Sequence, residues 1–135
     1  MSHEQIFLDT SGLIAVLDSS DRFHRLACDI WINWNTHGKR LCTSNYVVLE
    51  ASALVQRRLG MKALRVLYKN LLAPVDIVWI SQDLHRAALS SLLAVNRRLL
   101  SLVDCTSFEV MRDLGLHSVF AFDRHFHEQG FVCLP

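Results

Sequence analysis

Four carboxylates in this chain stand at positions where they can be brought to bear on a ligand. Asp9 follows Ile6-Phe7-Leu8, and Asp123 follows Val119-Phe120-Ala121-Phe122, so each closes a short apolar run that reads as a strand. In open parallel sheets, ligands bind at the carboxyl ends of the strands, where strand order reverses. Glu50 has Tyr46, Val47, Ala53 and Leu54 as its helical neighbours, which sets it in an apolar stripe, away from the face that carries Arg57 and Arg58. An ionised carboxylate there is costly unless it is paired or bound to metal. Asp104 ends Ser101-Leu102-Val103-Asp104, the pattern of a capping box before an apolar helix, and that places it near a helix N-terminus able to face the same sheet edge. Each acid also has a plainer reading. Asp9 can be a turn residue, Asp123 a helix cap, Glu50 the partner of an arginine or a residue at the stripe's wet edge, and Asp104 a capping residue only. Gathered together, such groups repel by about 1 kcal/mol per pair at 4 Å in water, and by about 4 kcal/mol at an effective dielectric of 20. A divalent cation removes that repulsion, and carboxylates are hard oxygen ligands of the kind Mg²⁺ and Mn²⁺ prefer.

Other groups compete with the acids for a role. His117, His125 and His127 lie close together, but there is no CxxC or HExxH, and scattered surface histidines account for them better than zinc does. An aspartyl nucleophile of the phosphatase type is expected to have a second Asp two positions after the first, where this chain has Ser11. Trp31 and Trp34 share a helix face with Ile30, which makes them either core or an apolar groove for a helix from another chain. Arg57, Arg58, Lys62, Arg65 and Lys69 fall within 13 positions, and Arg97 and Arg98 are adjacent. Such clusters attract phosphate backbones, or simply form a solvated face.

The elements that must hold the acids alternate. Strands are expected at Gln5 to Leu8, Arg40 to Thr43, Asp76 to Ile80, Ser118 to Phe122 and Phe131 to Leu134. Helices are expected at Ser11 to Leu17, Asp21 to Asn35, Asn45 to Leu59, Met61 to Leu72, Gln82 to Arg97 and Leu102 to Leu114, with one or two turns at Arg124 to Gln129. Ser44 caps the third helix and Gly60 stops it, Pro74 halts the fourth, and Gly115 closes the sixth. The result is an α/β class: one domain over residues 1–135, with a mostly parallel central sheet flanked by helices.

Composition agrees. A chain of 135 residues with 51% hydrophobic and 20% charged residues can bury a core and is not a disordered tail. No apolar run approaches the roughly 20 residues of a membrane span, and the polar start Met1-Ser2-His3-Glu4-Gln5 has no signal-peptide pattern. Cys28, Cys42, Cys105 and Cys133 are scattered, as expected in a reducing cytoplasm. The net charge of +1 predicts nothing by itself, but neutralising four of the 13 acids against 14 Lys and Arg would leave an excess of five positive charges.

A family resemblance then draws the motifs together. Phe7-Leu8-Asp9-Thr10-Ser11-Gly12-Leu13-Ile14-Ala15 resembles the opening of a PIN domain, and Asp21 with Phe23-His24 resembles an Asp–His pair of that family. Ser44 to Glu50, Leu100 to Phe108 and Val119 to Phe126 resemble the segments that carry its second, third and fourth acids. Order and spacing are similar to the VapC-like branch over essentially the whole chain. Arg97 and Arg98 depart from a segment that is often more acidic in such proteins.

The resemblance implies a Mg²⁺- or Mn²⁺-dependent endoribonuclease, the toxin component of a type II toxin–antitoxin pair. RNA would be its substrate, a small antitoxin its partner, and a homodimer or higher homo-oligomer its assembly. Asp9 and Asp104 are then expected as direct ligands, with Glu50 and Asp123 binding through water, completing a second metal or orienting the attacking water. Thr10 and Ser11 are expected to support a carboxylate, and Arg58, Lys62, Arg97, Arg98 and Arg124 to contact RNA. The competing expectation is a catalytically silent RNA- or protein-binding domain, which would have no physical reason to keep four mutually repelling acids.

Overall fold

The computed structural model describes residues 4–135. Met1, Ser2 and His3, part of the polar start read above, lie outside the described residues. The elements run β1 (Ile6–Leu8), α1 (Thr10–Leu17), α2 (His24–Thr36), β2 (Leu41–Ser44), α3 (Asn45–Leu59), α4 (Met61–Val66), β3 (Asp76–Val78), α5 (Gln82–Val95), α6 (Leu102–Asp113), β4 (Ser118–Phe120), α7 (His125–Glu128) and β5 (Val132–Leu134).

All five strands are parallel, in the order β3-β2-β1-β4-β5. The first strand is therefore central, with Phe7 in register with Cys42 on one side and Val119 on the other. Ile6, Phe7 and Leu8 are all buried. Successive side chains point to opposite faces of a sheet, so burial of all three requires cover on both faces, as parallel sheets demand. Around the sheet α1 packs on α2 and α3, and α5 on α6. Trp34 is buried with its ring edge-on to Phe120, 5.1 Å between centroids, and Trp31 stacks on the same ring. The two tryptophans are thus core-facing.

Local chemistry explains most boundaries. The Ser44 hydroxyl accepts the Val47 N–H and starts α3, and Gly60, at φ +90°, turns the chain into α4. Three expected helices are shorter than their patterns, the second because it begins at His24 after a turn at Asp21–Phe23. Asn96 adopts a left-handed conformation (φ 57°) and ends α5 at Val95, leaving Arg97 in the loop that follows. The fourth helix widens into a π-helical turn over Leu67–Leu71, which buries Leu67 and Leu71. Strands β3 and β4 stop two residues before the expected ends.

Candidate active site

Strand order reverses at β1, and the chain leaving its carboxyl end begins the site. Asp9 is 3% exposed and caps α1: its Oδ2 accepts the Ser11 N–H at 3.2 Å and the Ser11 hydroxyl at 2.6 Å. The Ser11 Oγ in turn accepts the Phe122 N–H at 3.0 Å. One hydroxyl therefore ties the β1–α1 turn to the chain leaving β4. Close approach makes this possible. A Cβ on Gly12 would lie 2.6 Å from the Phe120 carbonyl oxygen and 2.5 Å from its ring, so only glycine lets α1 pack so near β4.

Asp104 and Asp123 approach from α6 and from the segment after β4. The Asp104 N–H donates to Ser101 Oγ at 3.0 Å, and its Oδ2 accepts the Ser101 N–H at 3.2 Å, which completes the expected capping box. Asp123 Oδ1 accepts the His125 N–H at 3.0 Å. The capping reading of Asp104 is thus true, Asp9 caps α1, and Asp123 closes a local turn without capping α7, whose N-cap is Arg124; these bonds hold the carboxylates in place. One ligand oxygen each from Asp9, Asp104 and Asp123 lies within 4.8 Å of the others. No histidine belongs to this cluster, as expected for an oxygen-ligand site.

Burial and crowding show in the proton affinities. Burial, above all, and then the charge of Asp123 push the Asp9 carboxyl up to about 7, against the opposing Ser11 hydrogen bonds. Burial likewise raises Asp104 above the usual carboxylate range, while its hydrogen bond from the Ser101 backbone pulls the other way. A site that disfavours its own negative charge is one that a cation would relieve. The Thr10 hydroxyl is buried beside it, lines the same cavity and has no hydrogen-bond partner among the described residues, unlike the Ser11 hydroxyl.

The cavity has a volume of about 710 Å³. Glu50 lines it from α3 but stands outside the three-acid cluster. Its half-buried position corrects the sequence reading: the buried stripe of α3 is Val47, Ala51 and Val55, Ala53 is exposed, and Glu50 flanks that stripe. Of the expected RNA contacts, Arg58 lines the cavity. Lys62 lines a separate cleft with Leu17 and Val66, and Arg124 a third beside Phe131. Arg97 pairs with Glu128 at 2.7 Å, and Arg98 is exposed on the same loop without lining the acid cavity. The structure also adds residues that charge and motif did not single out for this site. Arg22, Phe23, Phe122 and His125 all line it, and His125 is half-buried, not a surface histidine. Its place two residues after Asp123 was the available signal.

Comparison with known proteins gives the family and the fold. A family profile described as PIN domain matches residues 6–132. The 23S rRNA-specific endonuclease VapC20 of Mycobacterium tuberculosis is 34% identical over 128 residues, which is 94% of this chain and 95% of the relative. Its crystal structure, described as that of a sarcin–ricin loop cleaving toxin, superposes with a TM-score of 0.83 over 95% of this chain and 97% of that one. FitAcB from Neisseria gonorrhoeae, at 15% identity, shares the fold with a TM-score of 0.66 over 97% of each chain.

Proposed function

The chain belongs to the PIN-domain family, and on that premise we propose that it is a metal-dependent endoribonuclease, the toxin arm of a toxin–antitoxin pair. The observation that carries the reading is the convergence of Asp9, Asp104 and Asp123 within 4.8 Å at the edge where strand order reverses. The donor set fits a hard divalent cation, Mg²⁺ or Mn²⁺. It is all oxygen, it is partly buried, and it holds Asp9 at an abnormally high proton affinity that a cation would lower.

Asp9 and Asp104 would hold the ion, with Asp123 completing the cluster. When bound, such an ion acidifies water and offsets the charge that builds on the phosphate. The chain's own groups do the rest. Ser11 fixes the Asp9 carboxylate by its hydrogen bond and through Phe122 fixes its distance from the chain that carries Asp123. Glu50, on the wall but outside the cluster, is assigned to orient the attacking water. Arg58, on the same wall, draws the RNA phosphates toward an otherwise acidic opening. No nucleophilic side chain is required.

The likeness to a ribosomal-RNA endonuclease makes ribosomal RNA the first substrate to test, and a toxin requires a neutralising partner, here a small antitoxin protein. A homo-oligomeric assembly and a cytoplasmic site of action complete the proposal. The cysteines are free, and among the described residues no helix is long and apolar enough to cross a membrane. Incubation of the protein with total RNA in Mg²⁺, Mn²⁺ or EDTA tests the central claim. Cleavage is expected with either ion and none in EDTA, and full activity in EDTA would overturn the reading.

A further inference from the structure

One wall of the acid cavity has a different chemistry from the rest. Phe23 and Phe122 lie face to face there, ring centroids 4.5 Å apart and planes within 7° of parallel. The guanidinium carbon of Arg22 lies over the Phe23 ring, 4.5 Å from its centre. All three side chains line the cavity that contains Asp9, Asp104 and Asp123. Both phenylalanines are only half-buried, and Arg22 is exposed. Among the described residues Arg22 takes no part in either ion pair, which join Arg97 to Glu128 and Arg112 to Glu109.

The wall is also held still. Asp21 Oδ1 accepts the Phe23 N–H at 2.8 Å, and His24 Nδ1 donates to the Ala15 carbonyl at 2.8 Å, which pins the turn to α1. On the other side the Phe122 N–H donates to Ser11, whose hydroxyl donates to Asp9. The aromatic pair is therefore in fixed relation to the carboxylates.

We propose that the guanidinium plane of Arg22, backed by the stacked rings of Phe23 and Phe122, forms a stacking ledge for an unpaired nucleobase adjacent to the phosphate that is cut. The inference rests on the nuclease reading above and adds the residues that position the nucleotide beside the cut. Aromatic faces and guanidinium planes are the surfaces on which splayed bases stack, and they accept any base because every base has a π-face. A base inside a duplex is stacked on its neighbours and has no free face to offer. A nucleotide seated on the ledge must therefore be unpaired. The ledge positions that nucleotide without reading its identity.

The test uses the full chain in Mn²⁺ and a short RNA with a mapped cleavage site, intact or lacking one base on either side of the cut. For the parent, removing the stacked base is expected to raise KM about ten-fold, the size of one base–aromatic stack. Arg22→Ala, Arg22→Lys and Phe23→Leu should show a similar rise on intact RNA and little further loss on the abasic RNA. Arg22→Lys keeps the charge and loses the plane, so it should behave as Arg22→Ala does. If the variants lose activity by the same factor on intact and abasic RNA, the wall is only structural and the ledge is overturned. If the parent cuts intact and abasic RNA equally well, the ledge falls alone. A parent that cuts no RNA in Mn²⁺ overturns the nuclease reading, and the ledge with it. Should Phe23→Leu fail to fold, Arg22→Ala, at an exposed position, decides the question.

Discussion

Like charges are crowded in two regions of this protein, and they are treated in opposite ways. At the edge of β1 and β4, three carboxylates are drawn together with Asp9 buried, each fixed by hydrogen bonds. Along α3 and α4, Arg57, Arg58, Lys62, Arg65 and Lys69 are exposed and spread over two helices joined at Gly60. Water and salt screen the second group, so its mutual repulsion costs little. Burial weakens screening of the first. Asp9 favours its proton because of that burial and then because of the charge of Asp123, and protonation or a cation relieves both. Crowding under burial marks a site, whereas crowding at the surface marks a place where charge is tolerated.

The largest effect should come from removing one charge of the buried group. Asp9→Asn and Asp104→Asn are each expected to lower RNA cleavage at least ~100-fold, since even groups that only orient metal ligands are worth 10–100-fold. Measurement of kcat/KM in saturating Mn²⁺ checks this. The same Asp9→Asn change should stabilise the metal-free protein, because the amide oxygen still caps α1 and the charge is gone.

The next effect is the pH dependence of that strain. With the folded carboxyl of Asp9 near 7, well above its ordinary value, the folded state holds a proton that the unfolded chain has already released. Stability in EDTA is therefore fully present in acid and is lost as pH rises through about 7. The Tm of the parent in EDTA should fall between pH 5 and pH 8, and that of Asp9→Asn should fall less. Parallel curves for the two proteins would show that the acid corner stores no repulsion.

Packing comes third. Gly12→Ala puts a methyl group against the Phe120 carbonyl, and overpacking of this kind costs about 1–3 kcal/mol. A Tm lower by several degrees is expected, with weaker binding of Mn²⁺ because Asp9 is displaced from Asp123. The smallest effect belongs to the exposed basic group. Arg58→Ala should flatten the salt dependence of RNA binding, measured in Ca²⁺, by about 0.7 units of slope, the value of one phosphate contact on a single strand. Lys62→Ala, facing a different cleft, should change it less. Equal effects from both would mean that the whole helical corner touches RNA.

The acids were legible in the sequence because each obeys a local rule. Asp9 and Asp123 follow apolar strands, and Asp104 completes a capping box that can be read three residues at a time. The boundaries of α3 were legible for the same reason, from Ser44 and Gly60. What escaped depends on contacts between distant segments. Nothing near Lys62 indicates that its part of α4 turns toward Leu17 and not toward Glu50. The partner of Arg97 is Glu128, 31 positions away. Arg22 and Phe23 occupy an irregular turn, where no periodicity marks a face, and their meeting with Phe122 exists only after β4 has joined β1. The left-handed Asn96 ended α5 against an apolar pattern that continued past it.

That joining has a consequence for how the protein is born. The Ser11 hydroxyl and the Phe122 N–H are separated by 111 positions, and β1 and β4 are adjacent in the middle of the sheet. Synthesis supplies β1 well before β4, with β2 and β3 between them. Until then β1 has β2 along one side and an unpaired row of amides along the other, an edge that invites association with other chains. The third carboxylate arrives with that same late segment. A growing chain therefore has no complete acid corner until β4 and Asp123 have left the ribosome, so the part of the fold that needs a cation is also the part assembled late.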